Sequence, residues 1–207
     1  MTYKTEQEQF WSGEFGDAYI ERNQGAQAVA TNLSLFAQIL RSTRSVKSVI
    51  EFGANIGLNL EAIGQLLPRA ELSAIEINGK AIEQLKAKGN ITTYHRSILE
   101  FSAEQLYDFV LIKGVLIHIN PEALPDVYQR LYDSSRRYIC MVEYYNPTPV
   151  EVPYRGHSER LFKRDFAGDM LDKFPDLSLV DYGFVYRRDH HFPQDDCTWF
   201  LMEKRRS

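Results

Sequence analysis

The chain has 207 residues, 44% hydrophobic and 25% charged, a composition that suits one globular unit with a sizeable core. Its formal net charge of -4 lacks the basic excess a phosphate-tracking protein needs, so no nucleic-acid partner is expected. Cys140 and Cys197 lack C-x-x-C spacing, the start Met1–Gln9 is too polar for a signal peptide, and the most apolar run, 109–119, is broken by Lys113 and His118; no disulfide framework, thiolate metal site or membrane contact follows, and the expected location is cytoplasmic.

Residues 1–45 read as a helical extension and 46–207 as one α/β unit. Thr5-x-x-Glu8 fits a capping box, and Val29, Leu33, Phe36, Ile39 and Leu40 share one helix face, ending near Ser42. Strands and helices then alternate. The strand Ser48–Phe52 leads through a glycine turn to a helix from Gly57 to Leu67, stopped by Pro68. The strand Glu71–Ile77 precedes a helix from Gly79 to Lys88, closed at Gly89. Strands at Ile91–His95 and Asp108–Lys113 follow. Asn120-Pro121-Glu122 opens another helix, and Tyr138–Tyr144 is the fifth strand. After a proline-rich stretch, 146–156, a helix is predicted over Glu159–Lys173 with Ser158 as its cap. Leu177–Arg187 and Thr198–Glu203 close the chain as an antiparallel pair. Such alternation predicts βαβ units, a mostly parallel sheet and helices on both faces.

Open α/β sheets bind ligands beyond the carboxyl ends of their strands. The first strand ends in Glu51-Phe52-Gly53-Ala54-Asn55-Ile56-Gly57. A dinucleotide turn would place glycines at 53, 55 and 58, whereas 55 is Asn and 58 is Leu. A carboxylate at Glu51 suits a cationic ligand better than a pyrophosphate. S-adenosylmethionine carries an ammonium and a sulfonium and no phosphate. The turn resembles the methyltransferase motif (Asp/Glu)-x-Gly-x-Gly-x-Gly, with Asn55 in place of the middle glycine. Glu76, followed by Ile77 at the end of the second strand, is positioned to accept hydrogen bonds from ribose hydroxyls. Ser97 and Ile98 follow the third strand, where adenine would lie. Lys113, Gly114 and Val115 end the fourth, with His118 near the reacting atoms.

Two flanking segments are more specific. Glu6-Gln7-Glu8-Gln9-Phe10-Trp11-Ser12-Gly13-Glu14-Phe15-Gly16 with Tyr19, Arg22 and Asn23 is one. Glu143-Tyr144-Tyr145-Asn146-Pro147-Thr148-Pro149 with Tyr154-Arg155-Gly156-His157 and Leu161–Phe166 is the other. Both resemble the pseudaminic-acid-biosynthesis-associated methylases, small class I methyltransferases, and the resemblance spans essentially the whole chain. It implies a Rossmann-like seven-stranded methyltransferase sheet, mostly parallel with an antiparallel terminal hairpin. It also implies S-adenosylmethionine as donor and S-adenosylhomocysteine as product, and it gives the extension a role in closing over the donor. Trp11, Phe15 and Tyr19 would offer ring faces to the sulfonium, and Arg22 would pair with the donor carboxylate. Their alternative role is to anchor the extension to the core.

The stretch Glu143–His157 reads as an acceptor pocket, with Tyr144, Asn146, Tyr154, Arg155 and His157 as hydrogen-bonding groups and Arg155 suited to a carboxylate or phosphate. Methyl transfer needs positioning more than acid–base chemistry; for a hydroxyl acceptor, His118, Glu143 and His157 are the candidate bases. Asp189-His190-His191 reads as a polar turn, and no metal is expected. The predicted activity is O- or N-methylation of a small polar metabolite, such as a sugar or nucleotide-sugar. The alternatives are a protein or RNA acceptor, a non-catalytic nucleoside-binding protein, and a nicotinamide oxidoreductase, the last disfavoured by Asn55 and Leu58.

Overall fold

The computed structural model describes residues 3–22, 25–156 and 160–205, with the side chain of Arg22 outside that set. Three helices open it: α1 (Glu6–Ser12), α2 (Glu14–Arg22) and α3 (Ala26–Leu40). The alternating part follows as β1 (Ser48–Phe52), α4 (Leu58–Leu66), β2 (Glu71–Glu76), α5 (Gly79–Ala87), β3 (Ile91–His95), β4 (Tyr107–Lys113), α6 (Leu124–Ser134) and β5 (Ser135–Glu143). Two 3-10 turns, Leu116–His118 and Pro121–Ala123, lie between β4 and α6. The chain closes with β6 (Val150–Glu151), β7 (Phe162–Lys163), α7 (Phe166–Lys173), β8 (Leu177–Val185) and β9 (Cys197–Lys204).

Among the described residues, seven strands form one sheet in the order β3-β2-β1-β4-β5-β9-β8. β1 to β5 pair in parallel, and β9 inserts antiparallel between β5 and β8. The order reverses between β1 and β4, which opens a crevice at their carboxyl ends. The expected mostly parallel sheet with an antiparallel terminal hairpin is therefore present. β6 and β7 form a separate ribbon within the segment that follows β5.

Period-two alternation divides the core. Val49, Phe109, Cys140 and Leu201 face α3, α4 and α5, meeting Phe36, Ile39, Leu60, Ile63 and Leu85. Ile50, Ile112, Met141 and Met202 face α6 and α7, meeting Val127, Leu131, Phe166 and Met170. The same alternation sends the two carboxylates at the strand ends to opposite faces, Glu51 toward α4 and Glu143 toward the turn after β4.

Two boundaries differ from the sequence reading. The last helix begins at Phe166 rather than Glu159, because Asp165 caps it by accepting from Gly168 N–H at 2.8 Å, while Phe162–Lys163 are committed to the ribbon. Ser158, the expected cap, lies outside the described residues. The fifth strand starts earlier, at Ser135, directly after α6. Among the described residues, no helix is long and apolar enough to cross a membrane.

Candidate functional site

A cavity of about 800 Å³ opens at the carboxyl ends of β1, β2 and β4. One wall is the turn after β1. Gly53 holds φ 74, and a Cβ there would come within 2.6 Å of Val115 Cγ2, so only glycine lets the two turns meet. Asn55 holds φ 48, a left-handed conformation that asparagine tolerates better than most side chains. The departure from the glycine pattern thus keeps the turn's shape. Gly57 is buried away from the cavity. It is left-handed at the start of α4, and a Cβ would meet Leu85 Cδ2 at 2.6 Å, so it serves helix packing.

Glu76 ties this wall to the next strand. Its Oε2 accepts from Asn55 N–H at 2.7 Å, and its Oε1 accepts from the N–H groups of Ile77 and Asn78 at 2.8 and 2.7 Å. Each carboxylate oxygen has two acceptor sites, so Oε2 keeps capacity for a ligand hydroxyl. Burial nevertheless raises its pKa, with the three backbone bonds opposing.

Glu51 stands behind the wall, fully buried. Its Oε1 accepts from Asn59 Nδ2 at 2.6 Å. Its Oε2 and the Asn59 carbonyl oxygen are buried with no hydrogen-bond partner among the described residues. Burial pushes the Glu51 pKa up to about 8, against the pull of Asn59 and Lys113. Two buried acceptors short of donors could accept from a cation that brings its own N–H groups. Asn59 lines the cavity, a role the sequence reading missed.

On the adjoining turn, His118 is 8% exposed in the 3-10 helix after β4. Its Nδ1 lies 2.5 Å from the Arg160 carbonyl oxygen, which can only accept, so Nδ1 carries the proton and Nε2 is the acceptor. Desolvation lowers its pKa to about 4. Its ring packs against Trp11 and Tyr154, with centroids 4.6 and 5.0 Å apart. Trp11 in turn meets Tyr19 edge-on at 5.3 Å. Trp11 Nε1 is buried without a partner among the described residues, a donor open to a ligand.

The remaining predicted residues divide. Ile77, Ser97, Ile98, Lys113, Gly114, Val115, Tyr144, Tyr154 and Arg155 line the cavity. Glu143 and Asn146 do not. Glu143 sits behind the wall, where its Oε1 accepts from Val115 and Leu116 N–H, both at 2.9 Å, and holds the turn that carries His118. Burial lifts its pKa to about 7. Asn146 donates to Thr148 O at 2.5 Å and stabilises its own loop. The Arg22 side chain and His157 lie outside the described residues. Asp189 Oδ1 accepts from the N–H groups of His191 and Phe192, so that stretch is a turn.

Helices α1 and α2 cover the cavity through polar ties. Glu8 closes the predicted capping box with Thr5 and also accepts from the Ser97 hydroxyl. Asn78 Nδ2 donates to Asp17 at 2.9 Å, and Lys80 pairs with Asp17 at 2.6 Å. Glu8, Asn78 and Asp195 also line the cavity, although the sequence reading gave none of them a place in it. Glu8 and Asn78 could have been noticed only as helix caps, a signal that says nothing of a cavity.

No protein-family model matches the chain, and no curated protein matches its sequence. Solved structures do match its fold. The plantazolicin methyltransferase BpumL in complex with S-adenosylhomocysteine superposes with a TM-score of 0.69 at 15% identity, covering 97% of this chain and 94% of that one. Magnesium protoporphyrin IX methyltransferase from Synechocystis PCC 6803 with bound S-adenosylmethionine gives 0.67 at 13%, covering 99% and 100%. The N-methyltransferase NodS from Bradyrhizobium japonicum WM9, with S-adenosylhomocysteine, gives 0.66 at 15%, covering 90% and 97%. The superpositions and the sheet order together give the chain the Rossmann-like methyltransferase fold.

Proposed function

We propose that this protein is an S-adenosylmethionine-dependent methyltransferase that methylates O or N of a small polar metabolite. The observation that carries the reading is the pair of unpartnered acceptor oxygens, Glu51 Oε2 and Asn59 Oδ1, buried at the end of β1 beside the cavity. They fit the donor's ammonium and would repel a pyrophosphate. Glu76 Oε2 would take a ribose hydroxyl, Ser97 and Ile98 would flank the adenine, and Trp11 and Tyr19 would cover the sulfonium. The fold shared with methyltransferases solved with S-adenosylmethionine or its product supports the same donor.

When bound, the donor supplies a methyl group on a sulfonium, open to in-line displacement by the acceptor. The chain's part is to hold the reactants and manage a proton. Glu143 fixes the turn 115–117 through two backbone bonds, and this sets the position of His118. Neutral His118, with Nε2 as acceptor, would take the proton of an acceptor hydroxyl or ammonium. Tyr144, Tyr154 and Arg155 would orient the acceptor. The resemblance of 6–23 and 143–166 to the pseudaminic-acid-associated methylases makes sugars and nucleotide-sugars the first acceptors to screen.

Calorimetry with S-adenosylmethionine, S-adenosylhomocysteine and NADH tests the donor. The two sulfur compounds are expected to bind and NADH is not. Binding of the dinucleotide alone would overturn the reading.

A further inference from the structure

The hairpin of β8 and β9 has two unlike faces. On one, Val185, Cys197, Trp199 and Leu201 share a core with Leu35, Phe36 and Ile39 of α3. The register pairs Leu179 with Met202, Tyr182 with Phe200 and Phe184 with Thr198, so these side chains share the other face. The core beneath α6 and α7 reaches that face only as far as Leu177 and Met202, both buried. Toward the free edge of the sheet, Leu179, Tyr182, Phe184 and Tyr186 stay exposed.

The exposed rings are contiguous. Phe200 stacks with Tyr182 at a centroid distance of 6.4 Å and meets Tyr145, from the segment after β5, at 6.1 Å. Phe184 meets Tyr186 at 6.1 Å. Tyr182 is 65% exposed, Phe184 57%, Tyr186 45% and Tyr145 43%. At about 200 Å² for each side chain, these four leave roughly 400 Å² of aromatic surface in water. A contiguous apolar patch of that size is commonly an interaction site.

We propose that this face is the twofold interface of a homodimer. Homodimer interfaces are about 65% apolar, so an apolar centre of roughly 400 Å² implies about 600 Å² or more per copy, within the lower range of stable interfaces once both copies are counted. Leu179, Tyr182, Phe184, Tyr186, Tyr145 and Phe200 carry no formal charge, so a twofold axis through them sets no like charges against each other. The net charge of -4 disfavours an anionic bilayer as the covering surface. The copies meet by faces and not by strand edges. β8 is irregular between Leu179 and Asp181, and the Tyr182 N–H donates to the Asp181 carboxylate at 2.9 Å, which blunts the edge. Tyr145 and Tyr186 adjoin the cavity-lining Tyr144 and Arg187, so the interface borders the cavity. It does not depend on the methyl-transfer reading.

Sedimentation equilibrium of the full chain tests the interface, up to about 50 μM, above the micromolar Kd such an area supports. A species of twice the chain's mass is expected. Tyr182→Arg and Phe184→Arg should each weaken the dimer at least tenfold, and the milder Phe184→Ser should weaken it in the same direction. Leu106→Arg, at an equally exposed apolar side chain outside the patch, should change it less than twofold. A monomeric wild type would overturn the proposal, and binding of that monomer to vesicles of neutral and anionic phospholipid would reassign the patch to a membrane. Dimers that survive the changes at 182 and 184, or that weaken equally in Leu106→Arg, would also overturn it.

Discussion

His118 donates through Nδ1 to the carbonyl oxygen of Arg160, and this one bond decides the chemistry of a ring that lines the cavity: Nε2 is left as the acceptor. The lowered pKa, about 4, keeps the ring neutral throughout the physiological range. The residue is therefore a standing hydrogen-bond acceptor rather than a pH switch.

For His118, two outcomes follow. Its ring signals in an NMR titration should not move between pH 5.5 and 8. A folded pKa below the unfolded value gives stability that is present above about pH 6.5 and lost as the pH falls toward 4, because the unfolded chain binds a proton the folded ring refuses. His118→Gln should flatten that part of a stability profile, by up to about 3 kcal/mol at its acid end. In turnover with a hydroxyl acceptor, it should lower kcat by about 10²–10⁴ while leaving donor affinity nearly unchanged. A parallel loss of donor affinity would assign the residue to binding.

Glu51 should titrate in the opposite sense. Its folded pKa, about 8, lies above the ordinary carboxylate value, so its contribution is greatest at low pH and declines as the pH rises from about 4.5 through 8. Glu51→Gln should raise the melting temperature at pH 8 more than at pH 5. Binding of a cationic donor should draw the proton off. Calorimetry at pH 7 in buffers of different ionisation enthalpy should show proton release by the wild type and less by Glu51→Gln. Equal release from both would remove Glu51 from the cation site.

Glu8 serves the helix cap and the cavity at once. Thr5→Ala removes the cap alone and should cost about 1 kcal/mol. Glu8→Ala also cuts the tie to Ser97 and should weaken S-adenosylhomocysteine binding at least tenfold, where Thr5→Ala changes it less than threefold. Isothermal titrations of the two variants separate the roles.

Gly53→Ala places a methyl group against Val115 and adds a left-handed alanine, a strain of roughly 1–2 kcal/mol before the clash is counted. Lower stability and weaker donor binding are expected. Val115→Ala in the same chain should restore part of the binding, which a purely conformational penalty would not allow.

The strands were legible because β1, β4 and β5 are buried on both faces and read as continuous apolar runs. Their alternation with helices specified a mostly parallel sheet, and Glu51, Gly53 and Glu76 marked the end of it where the cavity opens. The start of the last helix was less legible. Residues 160–165 are apolar and basic enough to continue a helix, and backbone pairing with β6 and with the flanking Asn146 and Val152 N–H groups holds them extended.

Sequence by itself determined the sheet, the glycine turn and the part of the cavity's lining that lies at the strand ends, since these depend on local periodicity and on where parallel strands end. Tertiary structure alone decided what each polar group does there. Glu8 meets Ser97 across 89 positions, and Glu143 meets Val115 across 28. Glu51 finds Asn59 because alternation along β1 turns it toward α4. A buried carboxylate takes its role from whichever donors the packed elements bring within about 3 Å, and no spacing along the chain encodes that.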